Sequence, residues 1–261
     1  MAACLGVFDS GVGGLTVLAA LRAALPSVPL LYIADSAHAP YGERSQGFIV
    51  ERSLALTQHL INAGAKLVVI ACNTATAAAA EAVRARHPDL PVVGIEPGVK
   101  PAVAASRTRK IGVLATTATV NSPRFRTLLE RHAQGCEVIP VACSGVVKHI
   151  EAGDLDSAEL KHLVARYCAP LQTAGVDTVL LGCTHYPFIR TLWQAQLGAA
   201  VQLLQIEGAV AQQAARRWSH ALDNSEPPEI RLATTGDPEV LGRLAREGLR
   251  WDRFVLERCT V

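Results

Sequence analysis

The sequence predicts an α/β protein made of two similar parallel-sheet units related by a pseudo-twofold axis. Three observations carry this prediction. Strand-sized apolar runs alternate with amphipathic helical stretches along nearly the whole chain, and such alternation builds parallel sheets with helices on both faces. One pattern of strand, cysteine and helix occurs twice, in the same order as two further matched segments. Short polar residues and glycines follow the strand-like runs, at the sheet edge where parallel α/β proteins bind ligands.

The elements follow in order. Residues 5–8 read as a strand and 15–25 as a helix stopped by Pro26. Residues 30–34 are a second strand. Ser45 is placed to cap a helix that ends at Gly64. Residues 67–71 form a strand, and 74–87 an alanine-rich helix halted before Pro88. Further strands are expected at 92–95, 111–115, 138–141, 178–181 and 201–204, with helices between them. The chain closes with a strand at 230–233, a helix opened by Asp237 and Pro238, and a short strand at 254–256.

The repeat is specific. LVVIACNT at 67–74 matches TVLLGCTH at 178–185, aligning Cys72 with Cys183. At the same spacing, IEPG at 95–98 matches IEG at 206–208. Upstream, GVFDS at 6–10 matches GVLAT at 112–116 at nearly that spacing. Chance likeness among parallel α/β units is the competing explanation.

Composition narrows the function classes. Of 261 residues, half are apolar and 18% charged, which supplies a sizeable core and too little charge for a disordered chain. Basic and acidic residues number 25 and 23, so no clustered basic footprint of a nucleic-acid binder is expected. No run reaches the 18 apolar residues of a membrane helix, and no secretory signal is expected at the start. Seven cysteines, an odd count without a CxxC pair, point away from a disulfide framework and from zinc, and towards a reducing cytoplasm.

Cys72 and Cys183 each follow an apolar strand and precede a helix, where the helix dipole favours a thiolate. A buried cysteine is also an ordinary packing residue, and that reading is given to Cys4, Cys136, Cys143, Cys168 and Cys259. Two thiols on opposite walls of a cleft suit the inversion of a stereocentre, because one removes a proton while the other supplies one. After the first strand, Asp9, Ser10 and Gly11 to Gly14 let backbone N–H groups approach an anion. The dinucleotide fingerprint fails there, because its third glycine falls on Thr16. Asp9 is either a turn carboxylate or a partner of a thiol. Tyr41 and Gly42, after Pro40, are either a plain turn or part of the site. Asn73, Thr74, Thr116, Thr119 and Thr184 suit a small substrate carrying a carboxylate and an amine, or cap helices. His185, two residues after Cys183, is either a satisfied surface histidine or a group that assists proton transfer.

Taken together, DSGVGGL at 9–15, PYG at 40–42, ACNTA at 71–75, IEPG at 95–98, GVLAT at 112–116 with Thr119, and LGCTHYP at 181–187 resemble the aspartate/glutamate racemase superfamily, in its glutamate racemase branch. TTGDP at 234–238 meets a late family motif only in part. The resemblance spans about residues 5–240 and implies two α/β domains facing across a cleft that holds the active site. The first is discontinuous, residues 1–97 with 208–261, and the second is 98–207. It implies that Cys72 takes the α-proton of D-glutamate and Cys183 that of L-glutamate, assisted by Asp9 and His185 respectively. Asp9, Ser10, Tyr41, Gly42, Asn73, Thr74, Thr116, Thr119, Thr184 and His185 are then expected to hold the amino acid, with Glu151 as a supporting acid. The resemblance further implies supply of D-glutamate for peptidoglycan, neither metal nor pyridoxal phosphate, and a homodimer.

One departure stands out. Gln205, Ile206, Glu207 and Gly208 occupy a segment that many members write with aspartate, which bears on the interdomain return rather than on chemistry. The first strand begins at Leu5, so activation by a wall-precursor nucleotide is not expected. The alternatives are a racemase of aspartate or another small amino acid, and a non-enzymatic role such as restraint of a topoisomerase, which the near-neutral charge does not support.

Overall fold

The computed structural model describes residues 3–219 and 228–261; residues 1–2 and 220–227, which the expected first domain includes, lie outside that description. Among the described residues ten strands form two sheets, and every pairing is parallel. The first four strands are β1 (Cys4–Asp9), β2 (Leu30–Ala34), β3 (Ala65–Ile70) and β4 (Val92–Gly94). The next four are β5 (Lys110–Ala115), β6 (Glu137–Ala142), β7 (Thr178–Leu181) and β8 (Gln202–Leu204). The chain then returns with β9 (Ile230–Thr234) and β10 (Val255–Arg258). One sheet runs β10-β9-β2-β1-β3-β4 and the other β6-β5-β7-β8. The order β2-β1-β3-β4 in the first therefore recurs as β6-β5-β7-β8 in the second. The topology aligns β3 with β7, as the repeated cysteine motif does.

Strand composition explains these cores. Side chains alternate between faces with period two, and β1 divides accordingly. Leu5 and Val7 join one cluster, which continues into the second unit, while Cys4 and Phe8 join another on the opposite face. Both faces are covered by helices, so the strands are apolar throughout rather than alternating with polar residues.

Helices α1 (Leu15–Ala24), α2 (Gln46–Asn62) and α3 (Asn73–Arg86) connect the early strands. Ser45 caps α2 by accepting from the Phe48 N–H at 3.2 Å. Gly64 follows with φ +99°, a conformation that favours glycine. The helix expected at 74–87 begins one residue earlier, because Cys72 is itself the cap. Helices α4 (Val99–Ala105), α5 (Thr117–Val120), α6 (Pro123–His132), α7 (Val146–Glu151), α8 (Ala158–Ala174) and α9 (Arg190–Leu197) belong to the middle of the chain. Helices α10 (Glu207–Arg217) and α11 (Pro238–Leu249) complete the set. Helix α4 packs on β7 and α6, and α10 packs on α1. The two crossover segments touch: a Cβ on Gly98 would lie 2.5 Å from Cγ2 of Ile206. The expected final strand, at 254–256, is found at Val255–Arg258.

Candidate active site

The carboxyl ends of β1, β3, β5 and β7 converge. Asp9 is the last residue of β1, Cys72 follows β3, Thr116 follows β5 and Cys183 follows β7. A single cavity is lined from the first sheet by Ser10, Tyr41, Gly42, Cys72, Asn73 and Thr74, and from the second by Thr116, Cys183, Thr184 and His185. Asp9, Thr119 and Glu151 stand behind this lining, bonded to it. Both thiols are buried in it: Cys72 and Cys183 are 5% and 6% exposed.

Cys72 caps α3, and its sulfur accepts from the Ala75 N–H at 3.4 Å. Its thiol donates to Oγ of Ser10 at 3.6 Å. Asp9 lies fully buried beside it. Oδ1 of Asp9 accepts from the Ser10 N–H at 2.7 Å, and Oδ2 accepts from Oγ1 of Thr184 at 3.1 Å. Two effects on the thiol oppose each other. A helix N-terminus contributes about 0.3–1 kcal/mol towards a thiolate, whereas full burial moves a pKa by up to about 3–5 units. Burial wins: it pushes the Cys72 thiol well above its usual value, the Asp9 charge pushes it further, and the Ala75 and Ser10 contacts offset only part. Burial also raises the Asp9 carboxyl, against the pull of His185 and of the Cys72 hydrogen bond. The rise at Asp9 narrows the gap between acid and thiol, whereas the rise at Cys72 widens it.

In the other half, Nδ1 of His185 lies 3.8 Å from the Cys183 sulfur, and Nε2 lies 2.5 Å from Oε1 of Glu151. Burial disfavours the imidazolium, but the bonds to Cys183 and Glu151 together outweigh it, and the His185 pKa rises well above its ordinary value. Glu151 also reaches across the cleft. Its Oε1 accepts from the Val12 N–H at 2.7 Å, and its Oε2 accepts from Oγ of Ser36 at 2.8 Å. The glycine loop makes this contact possible. A Cβ on Gly13 would sit 2.3 Å from Nδ1 of His185, and one on Gly11 would sit 1.9 Å from Oε1 of Glu151.

The remaining polar groups form two sets. Oγ1 of Thr74 lies 2.9 Å from Oγ1 of Thr116 and 3.4 Å from Oγ1 of Thr119, joining the two sheets by hydroxyls. Asn73 is buried at 4% exposure with neither Oδ1 nor Nδ2 hydrogen-bonded in the protein. A buried amide left so costs about 1–3 kcal/mol, and a ligand in the cavity that offers a donor and an acceptor removes that cost. Gly42 packs against Thr116, where a Cβ would approach to 2.9 Å.

Sequence reasoning passed over Asp35. It ends β2's turn as Asp9 ends β1, and it is fully buried. It accepts from the Tyr41 hydroxyl at 2.6 Å, from Arg52 Nε and Nη2 at 3.0 and 2.7 Å, and from Oγ1 of Thr235 at 3.0 Å. Burial alone would raise its pKa, but the bonds from Arg52, Tyr41 and His38 hold it below the usual carboxylate range. Asp35 thereby fixes the Tyr41–Gly42 wall. Its signal was an acid directly after a buried strand, shared with Asp9. Ser36 and Val12, the partners of Glu151, carried no such signal. Among the described residues no group of three or more His, Cys, Asp or Glu side chains is arranged to hold a metal ion.

A sheet-end thiol on each side of one cavity is an arrangement suited to moving a proton between two faces of a carbon, the work of an isomerase. Residues 15–214 match the family model described as Asp/Glu/Hydantoin racemase, and the chain belongs to that family. The glutamate racemase of Ectopseudomonas mendocina is 49% identical over 234 residues, 89% of each chain. That of Pseudomonas aeruginosa (strain PAO1) is 47% identical over 244 residues, 93% of this chain and 92% of the relative. Among solved structures, Escherichia coli glutamate racemase in complex with L-glutamate and the activator UDP-MurNAc-ala superimposes with a TM-score of 0.88 at 29% identity, covering 100% of this chain and 99% of the other. A Bacillus anthracis glutamate racemase isoform gives 0.87 at 30% identity, covering 99% and 97%.

Proposed function

We propose that the chain interconverts L- and D-glutamate by a two-thiol acid/base mechanism and so supplies D-glutamate for peptidoglycan. The observation that carries this reading is the pair Cys72 and Cys183, each at the end of an equivalent strand and both lining one cavity. With L-glutamate bound, the Cys183 thiolate removes the α-proton, and the Cys72 thiol delivers its proton to the opposite face, giving D-glutamate. The reverse reaction exchanges the roles. Proton transfer by a positioned group contributes about 10²–10⁴-fold to such a rate.

Local electrostatics support the division of labour. The raised His185 pKa favours an imidazolium 3.8 Å from the Cys183 sulfur. On the other side burial raises the Asp9 carboxyl, which strengthens it as a proton acceptor beside the Cys72 thiol. Ser10, Asn73, Thr74, Thr116, Thr119, Thr184, Tyr41 and Gly42 are assigned to holding the amino acid, and Glu151 to positioning His185. The two domains are assigned as residues 1–97 with 208–261 and 98–207, and opening between them is assigned to admitting substrate to the buried thiols.

Relatives of both specificities share the fold. A Picrophilus torridus aspartate racemase superimposes with a TM-score of 0.57 at 14% identity. Identity near half across most of the chain favours glutamate over aspartate. We further propose a cytoplasmic homodimer. All seven cysteines are free, in keeping with a reducing compartment, and no helix among the described residues is long and apolar enough to cross a membrane. Light scattering after size exclusion tests the dimer. The function is tested by following L-glutamate, D-glutamate and L-aspartate separately by circular dichroism. Inversion of both glutamate enantiomers with aspartate inert is expected, and inversion of aspartate alone would overturn the substrate assignment.

A further inference from the structure

A second cavity adjoins the one that holds the thiols. The two share Pro40, Gly42, Thr116 and Val147, so they are consecutive chambers with a common wall. Glu43 and Lys148 bound the outer chamber. Glu43 follows Gly42 on the first-sheet side, and Lys148 stands on α7, the helix that also carries Glu151. Nζ of Lys148 lies 2.9 Å from Oε2 of Glu43, with the side chains 59% and 47% exposed. The pair thus ties the two walls together at the solvent side of the buried thiols. An exposed ion pair of this kind is held weakly, so parting it costs little.

Charge gives the pair a second consequence. Among the described residues lining either chamber, Lys148 is the only lysine or arginine. The inner chamber is backed by Asp9 and Glu151, and its His185 is already bonded to Glu151. An incoming amino acid with two carboxylates therefore meets one cation not already bound within the inner site, and it meets that cation at the mouth.

We propose that Glu43 and Lys148 form the gate of the cleft, and that Lys148 is its loading residue, exchanging the Glu43 carboxylate for a carboxylate of the incoming substrate as the walls part. The inference rests on the preceding assignment of an acidic amino acid as substrate. Lys148 acts before the chemistry, so it is a positioning residue. Its removal appears in KM more than in kcat, and in the response to salt.

The test is steady-state racemisation in both directions at low and high ionic strength for the wild type, Lys148→Gln, Lys148→Arg and Glu43→Gln. One unit charge at contact distance in water corresponds to about fivefold in association, and salt at about 0.1 M screens it beyond about 10 Å. Wild-type kcat/KM is expected to fall with salt. Lys148→Gln is expected to lose about fivefold of kcat/KM at low salt and most of the salt dependence, while Lys148→Arg restores both. Glu43→Gln, which leaves Lys148 without its competitor, is expected to raise kcat/KM and keep the salt dependence. Lys148→Gln with an unaltered salt response overturns the proposal, as does an equal loss in kcat and kcat/KM with that response intact. A wild type inert towards glutamate overturns the function assignment as well, whereas an active wild type indifferent to Lys148→Gln overturns the gate alone.

Discussion

Oε1 of Glu151 and Nε2 of His185 lie 2.5 Å apart, and the same carboxylate oxygen accepts the Val12 N–H from the opposite wall of the cleft. The acid that fixes the histidine beside Cys183 therefore also senses whether the walls are closed. Glu151→Gln keeps an acceptor for Val12 but removes the charge that supports the imidazolium. It is expected to lower kcat with L-glutamate by about 10–100-fold, within the range of general acid/base contributions, and to move the basic limb of its pH profile to lower pH. An unchanged pH profile would remove Glu151 from the positioning role.

The same contact sets a pH dependence of stability. The folded pKa of His185 is raised, so its contribution is fully present below the unfolded value near about 6.5 and is lost as pH rises through the folded value. His185→Asn is expected to flatten that alkaline loss. Urea midpoints of both proteins measured across neutral and alkaline pH check the sign.

Asp35 has the opposite sign. Its folded pKa is lowered, so its contribution is present above the unfolded value near about 3.9 and is lost as pH falls through the folded value. Asp35→Ala leaves Nε and Nη2 of Arg52 and the Tyr41 hydroxyl without their acceptor. It is expected to cost about 3 kcal/mol, as breaking a buried pair does, and to raise KM through the displaced Tyr41–Gly42 wall. Urea denaturation and steady-state kinetics report the two effects separately.

Gly13 faces His185 so closely that alanine there collides with Nδ1 and with Oγ1 of Thr184, at 2.3 and 2.7 Å. Gly13→Ala is expected to displace the imidazole from Cys183 and lower kcat by at least about 100-fold, since misplacement by about 1 Å costs that much. Far-ultraviolet circular dichroism would be unchanged. Retained kcat would show that the close approach is not needed.

Much of this arrangement is legible before folding. The strands announce themselves as apolar runs because both sheet faces are covered, and the aligned Cys72 and Cys183 motifs reappear as equivalent strands β3 and β7. What stayed hidden depends on contacts distant in sequence. Ser36 and Val12 meet Glu151 only after the two walls come together, and no local pattern encodes that meeting. The helix after Cys72 starts a residue earlier than its polar pattern suggests, because a thiol rarely enters the reckoning as a cap. Asp35 gains its role only when Arg52, Tyr41 and Thr235, the last 200 residues away, are brought around it.

The central claim is that two different thiols work on opposite faces of one carbon. Its most direct test is racemisation of L-glutamate in D₂O, with the earliest product and the unreacted substrate analysed separately for α-deuterium. Two thiols predict that newly formed D-glutamate carries solvent deuterium while the remaining L-glutamate keeps its proton, and that Cys72→Ser and Cys183→Ser each abolish inversion. Early D-glutamate that retains the original proton, or near-normal inversion by either variant, would contradict the account.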